Sequence, residues 1–258
     1  MIITTAGRTT EEMGNKAKQA AIELDSKYVT RRKRSVLTLM ETEKEGCIVV
    51  GKNRLELYPL GEETPFFFHP NSSMFRIKRL LKGEHDPFID AAQLQTGMSI
   101  LDCTLGLASD SIVASFAVGE TGKVVGIEAN PYLAYLVREG LNQWDSGIDD
   151  MNEAMRRIII KQNNSLEVLQ ELEDKSFDCV YFDPMFEETI LESDGIRGLA
   201  KFAKDEGLST ELMKQAHRIA RKRIVLKDHF RSTRFAQYDF TVNRRKSAKF
   251  HFGVIKKT

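Results

Sequence analysis

Residues 99–110 read Ser99-Ile100-Leu101-Asp102-Cys103-Thr104-Leu105-Gly106-Leu107-Ala108-Ser109-Asp110. The pattern is that of a short apolar strand that ends in a carboxylate and turns through one glycine into a helix. An open α/β sheet forms nucleotide pockets with this arrangement, because ligands bind outside the carboxyl ends of its strands. Much later the chain reads Tyr181-Phe182-Asp183-Pro184-Met185-Phe186, a second apolar strand that ends in an aspartate. The two stretches together predict a ligand pocket at one edge of a sheet.

The pattern from residue 97 onward predicts alternating strands and helices. Strands are expected at residues 98–103, 123–128, 158–161, 177–182 and 223–227, with helices at 109–117, 131–141, 166–172 and 210–220. Such alternation favours a parallel sheet covered by helices on both faces. Residues 235–242 and 249–255 are expected to add an antiparallel hairpin at the edge of the sheet.

The first 90 residues have a different character and predict a small α/β unit, with the main domain at residues 91–258. The expected elements are a strand at 2–5, a helix at 11–24, a hairpin at 46–51 and 54–58, and a helix at 74–81. The side chains of Asn71, Ser72 and Ser73 are expected to cap the start of the last helix, and Gly83 is expected to close it.

The composition narrows the classes of protein. The 258 residues carry 38 Lys and Arg against 37 Asp and Glu, so any affinity for nucleic acid must rest on local basic clusters. Three cysteines stand far apart without a Cys-x-x-Cys spacing, which predicts reduced thiols in a cytoplasmic protein and no metal site. No window approaches the roughly 18 apolar residues that a membrane span needs, so no membrane contact is expected.

The single glycine of the first stretch favours one class of cofactor. A pocket for a nicotinamide dinucleotide uses Gly-x-Gly-x-x-Gly to bring backbone against a pyrophosphate, but only Gly106 is present here. S-adenosylmethionine has no pyrophosphate; its methionine end needs a carboxylate for the ammonium and N–H groups for the carboxylate. Asp102 or Asp110 can meet the ammonium, and the amides of the loop through Thr104 and Gly106 can meet the carboxylate. We therefore expect S-adenosylmethionine as the cofactor.

Polar side chains at the next two strand ends complete the expected pocket. Glu128 ends the second strand about 20 positions after Gly106, where an acid accepts hydrogen bonds from ribose hydroxyls in such folds. Asn164 and Ser165 follow the third strand and can contact the adenine amine. Taken singly, Asp110 can be a helix cap and Glu128 a solvated loop acid. Their order on successive strand ends favours a binding role.

Asp183, Pro184 and Phe186 are the predicted catalytic residues. An exocyclic amine conjugated to a ring is a poor nucleophile, because its lone pair is delocalised. The Asp183 carboxylate and the Pro184 carbonyl can accept hydrogen bonds from its two N–H groups and aim the nitrogen at a methyl group. Phe186 offers a face on which the target ring can stack. Positioning is the main contribution, and no metal is needed. The same residues also fit an ordinary turn after a strand, and the preceding cofactor signature favours catalysis.

The residues 101–110 and 181–186 and the basic tail Arg245-Lys246-Ser247 resemble the bacterial methyltransferase family that includes the small-subunit ribosomal RNA guanine-N2 methyltransferase. The resemblance covers roughly residues 66–255. It implies a Rossmann-like S-adenosylmethionine domain with a seven-stranded sheet, and structured RNA as the partner. It also implies cofactor contacts from Ser109, Asp110, Glu128, Ala129, Asn164, Ser165 and Asp183. The chain departs from the family at Ser109, where Arg is usual, and at Ala129, where a charged residue is usual.

Basic clusters predict an RNA surface beside the pocket. They comprise Arg31 to Arg34, then Arg76, Lys78, Arg79 and Lys82 on one helix, and then Arg218, Arg221, Lys222, Arg223, Arg231 and Arg234. Among these and the strand-ending Lys227, we expect Arg76, Arg79 and Lys227 to contact the substrate. Runs of charge are also common on solvated faces.

Three other functions fit parts of the sequence. A nicotinamide-dependent reductase shares the sheet, but this chain lacks the further glycines and a Tyr-x-x-x-Lys pair. A non-catalytic RNA-binding protein would not need the intact Asp183-Pro184-Met185-Phe186. A methyltransferase of a small molecule or of a protein amide uses the same acceptor geometry, so this alternative stays open.

Overall fold

The computed structural model describes residues 1–184, 207–245 and 248–257. Phe186, which the sequence predicts to stack on the target ring, therefore lies outside the described residues, as do Lys246 and Ser247 of the basic tail.

A four-stranded sheet occupies the first 58 residues. Its strands are β1 (Ile2–Thr5), β2 (Lys27–Tyr28), β3 (Cys47–Val50) and β4 (Leu55–Tyr58), in the order β2-β1-β3-β4. Helices α1 (Glu11–Glu23) and α2 (Val36–Glu43) pack against this sheet. The antiparallel pair β3 and β4 is the hairpin expected from the sequence. The short elements β2 and α2 were not predicted.

A seven-stranded sheet forms the main domain. Its strands are β5 (Ser99–Asp102), β6 (Lys123–Glu128), β7 (Ile159–Gln162), β8 (Phe177–Phe182), β9 (Ala220–His229), β10 (Thr241–Asn243) and β11 (Phe250–Lys256). The spatial order is β10-β11-β9-β8-β5-β6-β7. The five strands from β9 to β7 pair in parallel, and the last two join by antiparallel pairing. The predicted Rossmann-like sheet is confirmed.

Further helices of the described chain surround the main sheet. They are α3 (Asn71–Leu80), α4 (Pro87–Ala92), α5 (Ser109–Val118), α6 (Pro131–Gln143), α7 (Asp149–Arg156), α8 (Ser165–Glu171), α9 (Thr210–Ile219) and α10 (Arg234–Gln237). Of these, α4, α7 and α10 were not predicted. The others lie close to the expected positions.

Alternating side chains divide the core between the two faces of the main sheet. Ile100 and Tyr181 belong to one cluster of buried residues, whereas their neighbours Leu101 and Val180 belong to the other. A strand that is apolar throughout can fill both clusters because successive side chains point to opposite faces. The first cluster also contains Ile3 of the N-terminal sheet. The two sheets thus share a core, and the predicted boundary at residue 90 stays a prediction.

Two local predictions were wrong. Residues 235–242 do not form one strand, because Phe235 lies in α10 and Phe240 precedes β10. Both side chains approach Gly253 closely, since a Cβ atom there would lie 2.6 Å from the Phe235 ring and 2.8 Å from the Cβ atom of Phe240. Helix α3 begins at Asn71 with Pro70 in the capping position and no side-chain cap. Ser73 is therefore inside the first turn, and its hydroxyl donates to the Ser109 carbonyl at 3.0 Å.

A glycine in β6 makes room for the loop that follows β5. A Cβ atom on Gly126 would lie 2.3 Å from a methyl carbon of Leu105. We expect Gly126→Ala to lower the free energy of unfolding by about 1–3 kcal/mol through overpacking, as measured by urea denaturation. The control is Gly14→Ala in α1, where a Cβ atom would have nothing within 4 Å. That variant should be neutral or up to about 1 kcal/mol more stable, and equal effects at both glycines would contradict the packing argument.

Candidate active site

The carboxyl ends of the parallel strands bring most of the predicted residues to one edge of the main sheet. Asp102 of β5 pairs in register with Gly126 of β6 and with Tyr181 of β8. Glu128 and Asp183 follow from these strands at the same edge. In an open α/β sheet this edge is where ligands bind. The structure therefore places the stretches 99–110 and 181–184 beside one another.

The Asp102 side chain holds the loop between β5 and α5 in place. Its carboxylate accepts hydrogen bonds from the Thr104 N–H at 3.0 Å and from the Ser111 hydroxyl at 2.6 Å. Burial raises the pKa of Asp102 to about 6, although these donors favour the carboxylate. Both oxygens are engaged inside the protein, so Asp102 shapes the loop.

Glu128 is anchored at the end of β6 by backbone donors. It accepts the Asn130 N–H at 2.9 Å and further hydrogen bonds from the backbone of Gly106 and Ala129. Burial raises the pKa of Glu128 despite these donors. Gly106 has φ +49°, and the nearest atom to a Cβ there would be the Thr104 carbonyl oxygen at 4.0 Å. The loop consequently leaves open space beside an acid that is fixed in orientation.

The remaining predicted cofactor residues have local structural partners. The Asn164 side chain caps α8 by accepting the Leu166 N–H at 2.7 Å, and the Ser165 hydroxyl donates to the Cys103 carbonyl at 2.6 Å. Ser109 opens α5 and contacts Ser73 of α3. The Ala129 carbonyl accepts from the Gln162 side chain at 3.4 Å. These contacts fix the loops at the ends of β5, β6 and β7.

A chain of ion pairs runs from the start of α4 through α3 and α5 to β9. Arg76 binds Asp86 with two nitrogens, at 2.7 and 2.8 Å, and binds Asp110 with the third. The other oxygen of Asp110 accepts from the Tyr181 hydroxyl at 2.8 Å and from the Lys227 ammonium at 3.1 Å. Burial opposes ionisation of Asp110, but Lys227 and Arg76 outweigh it and hold its pKa below the usual range.

This network differs from the predicted roles of several residues. Arg76 lies in the ion-pair chain instead of on an RNA-facing surface, and Asp110 has both oxygens engaged. Asp86 and Tyr181 were missed as members. Asp86 could have been noticed as an N-cap, since it precedes Pro87 and accepts the Phe88 N–H at 3.0 Å. Tyr181 lies within an apolar strand, and the sequence gives no indication of its hydrogen bond to Asp110.

Asp183 follows the end of β8, and its two carboxylate oxygens have different surroundings. Its N–H donates to the Thr104 hydroxyl at 2.6 Å, and its Oδ2 accepts from Lys227 at 2.6 Å. The Oδ1 atom is buried and has no hydrogen-bond partner within the described ranges. Burial raises the pKa of Asp183 to about 7; Lys227 opposes this shift, and the charge of Asp110 adds to it. An unsatisfied buried acceptor is costly, so its presence points to a ligand donor.

Several of the predicted basic residues are paired with acids, and some of them lie far from this pocket. Arg79 is exposed and pairs with Glu84 at 2.7 Å. Arg221 and Lys222 lie at the start of β9 and pair with Asp178 at the start of β8. Because β8 and β9 run parallel, this cluster is at the opposite end of the sheet from Asp183. The expectation that it lines the mouth of the pocket is wrong for these two residues.

The pocket fits the cofactor expected from the sequence. Glu128 offers a fixed carboxylate, the loop beside Gly106 offers space, and Asp183 offers an unused acceptor at the adjoining strand end. The described residues include no group of three or more His, Cys, Asp or Glu placed to hold a metal ion. In the same part of the chain, no helix is long and apolar enough to cross a membrane.

Comparison with known proteins gives findings on both family and fold. The family model SAM_MT, which describes SAM-dependent methyltransferases, matches residues 30–252. The chain is 49% identical over 254 residues to the uncharacterized protein YpiP of Bacillus subtilis, covering 98% of each. It is 27% identical over 193 residues to the Ribosomal RNA small subunit methyltransferase J of Buchnera aphidicola, covering 70% of this chain and 74% of that protein. The SAM-dependent methyltransferase NGO1261 of Neisseria gonorrhoeae shares the fold, with a TM-score of 0.65 and 18% identity over 99% of this chain and 96% of that one.

The ion-pair chain should make Arg76 important for stability. We expect Arg76→Met to lower the free energy of unfolding by about 3–5 kcal/mol, because Asp86 would remain buried without its cation and Asp110 would lose one of its two. Urea denaturation at pH 7 measures the loss. The difference from the wild type should shrink as the pH falls, since the lowered pKa of Asp110 stabilises the folded protein only while that group is ionised.

Arg79→Met on the same helix is the matched control. Arg79 is 58% exposed and its partner Glu84 is 47% exposed, so the loss should be below about 1 kcal/mol. Similar losses for the two variants would contradict the role of burial in the Arg76 network.

Proposed function

The chain belongs to the family of SAM-dependent methyltransferases, and from that premise we propose that it methylates the exocyclic amine of a guanine in small-subunit ribosomal RNA. Its cofactor is S-adenosylmethionine. The buried Asp183 Oδ1 carries the proposal for an amine target, because no group in the described part of the chain donates to this acceptor at the end of β8. The similarity to a ribosomal RNA methyltransferase of Buchnera aphidicola supports the choice of RNA.

We assign cofactor contacts to the loops at the strand ends. Glu128 binds the ribose hydroxyls, and the amides between Thr104 and Gly106 bind the methionine carboxylate. Asn164 and Ser165 lie at the end of β7, on the adenine side of the site. Asp102 and Asp110 act indirectly, Asp102 by shaping the loop and Asp110 by holding Lys227.

Asp183 is the proposed catalytic group. Its Oδ1 accepts one N–H of the amine, and the Pro184 carbonyl accepts the other, which returns electron density to the nitrogen and directs it. Lys227 is a positioning residue, because its hydrogen bond to Oδ2 fixes the carboxylate and leaves Oδ1 to accept from the amine. The cofactor supplies an electrophilic methyl group on a sulfonium. Transfer of the methyl group would break its bond to sulfur, leave a neutral thioether and place a positive charge on the nitrogen. A carboxylate with a pKa of about 7 can take the proton that this nitrogen gives up.

The proposed role of Asp183 gives activity a defined pH dependence. Since the acceptor must be ionised, kcat/KM should fall as the pH drops through about 7. Asp183→Asn should lower kcat/KM by roughly 100-fold or more and remove this acid limb. Both are measured by methyl transfer to RNA between pH 6 and pH 9. An unchanged acid limb in the variant would contradict the assignment.

The same substitution should not damage the fold. A carboxyl whose pKa is raised on folding binds its proton more tightly in the folded state, so the ionised Asp183 destabilises the protein above about pH 7 and this penalty is relieved as the pH falls. Asp183→Asn should therefore be at least as stable as the wild type at pH 8 by urea denaturation, with the difference closing toward acid pH. A marked loss of stability would mean that lost activity reflects unfolding.

The substrate is tested by mass analysis of nucleosides. Small-subunit RNA from a strain without the gene should lack one N2-methylguanosine, and the wild-type protein should restore it in vitro, whereas Asp183→Ala should not. If purified protein transfers methyl groups to a small molecule or a protein amide and the RNA of the deletion strain is unchanged, the guanine assignment is wrong.

A further inference from the structure

Strand β9 continues beyond Lys227 into a turn that exposes an aromatic ring. The Phe230 side chain is 46% exposed and belongs to neither cluster of the core beneath the main sheet. The Arg231 guanidinium lies 5.1 Å from the centre of its ring, and the His229 ring lies 4.6 Å from it. An exposed ring with a cation beside it offers a face on which a planar group can stack and lose contact with water.

The turn that carries this ring is held firmly. Asp228 is buried and accepts the His229 N–H at 2.7 Å, the Ser232 hydroxyl at 2.6 Å and Arg234 at 3.2 Å. On the other side, the Phe230 N–H donates to the Lys249 carbonyl at 3.0 Å. The exposed ring therefore occupies a fixed position and is not part of a free chain end.

The turn lies at the pocket edge of the sheet. Lys227 is 2.6 Å from Asp183, and Phe230 follows it by three residues, which spans at most about 10 Å at roughly 3.3 Å per residue. Arg231 is exposed, as are Arg244 and Arg245 in the loop between β10 and β11. The antiparallel register of β9 and β11 places that loop at the same end, because His229 pairs with Phe250. The exposed ring is therefore accompanied by positive charge.

We propose that Phe230, with Arg231 beside it, is a stacking platform for an unpaired nucleotide that neighbours the target guanine in RNA. The inference rests on the proposed function and adds to it the form of the substrate. An aromatic face stacks on any base without reading its sequence, and an adjacent guanidinium suits the phosphate backbone. The fixed turn lowers the cost of ordering the ring upon binding.

Binding of a fluorescein-labelled RNA hairpin tests the platform. The hairpin has a guanine in an unpaired loop and is compared with a fully paired duplex of the same composition. Phe230→Ala should weaken hairpin binding by about 5- to 100-fold and reduce the preference for hairpin over duplex. It should leave the dependence of binding on salt unchanged, because the ring is neutral. Arg231→Ala should lower the slope of log affinity against log salt by about 1.

Two variants control for damage to the fold. Phe230→Trp keeps an aromatic face and should bind the hairpin as the wild type does. Leu60→Ala removes an apolar side chain that is 56% exposed in the N-terminal unit, and it should leave binding unchanged. Thermal melting of all variants should match that of the wild type.

The outcomes separate this inference from the proposed function. If the wild-type protein methylates guanine in RNA and Phe230→Ala binds the hairpin with wild-type affinity, the platform is wrong and the function stands. Equal weakening of hairpin and duplex by Phe230→Ala would also overturn it. If the wild-type protein neither binds nor methylates RNA, both proposals fail.

Discussion

The buried ion-pair chain of Asp86, Arg76, Asp110, Lys227 and Asp183 is the interaction on which the site depends. It joins α3, α4, α5, β9 and the end of β8. Removing charges from water is expensive, and the cost is recovered only when each group has well-placed partners. Within this chain three carboxylates face two cations. The surplus negative charge lies at the end of β8, where the proposed function places the cationic sulfonium of the cofactor.

That surplus also explains why Asp183 differs from Asp110. Asp110 receives Arg76, Tyr181 and Lys227, so its carboxylate is fully stabilised. Among the residues that the structure describes, Asp183 shares Lys227 with Asp110, and its Oδ1 has no donor. Two carboxylates that compete for one ammonium have their pKa values driven apart, which separates a permanently charged support from a group that can exchange a proton. The free-energy cost of the buried Asp183 Oδ1 would then be relieved when a bound ligand donates a hydrogen bond to it.

Features that depend on local pattern could be predicted from the sequence. Apolar β5 and β8 indicated the parallel sheet. Strand polarity also predicted that Glu128 and Asp183 lie at one edge of it. The ion-pair chain could not be predicted in this way. Arg76 and Asp110 are 34 positions apart and Lys227 and Asp110 are 117 apart, so their meeting depends on packing across the fold.

The basic residues around β9 posed the same problem, since a charge run does not reveal which end of the sheet it occupies. Phe235 and Phe240 misled for a related reason: they suggested a strand, but a close approach to Gly253 determines their positions.

The end of β9 shows how strand alternation can serve two purposes at once. Val225 belongs to the same core cluster as Tyr181, and Leu226 to the opposite one. Lys227 therefore follows Val225 to the face of Tyr181 and Asp110, while Asp228 follows Leu226 to the other face and binds Arg234. One residue completes the ion-pair chain, and the next shapes the turn beyond it. Because the period is two, a shift of one residue would send Asp228 toward Asp110 and Asp183 and would leave the turn without its acceptor. The proposed catalytic geometry and the exposed surface beside it thus depend on a single register.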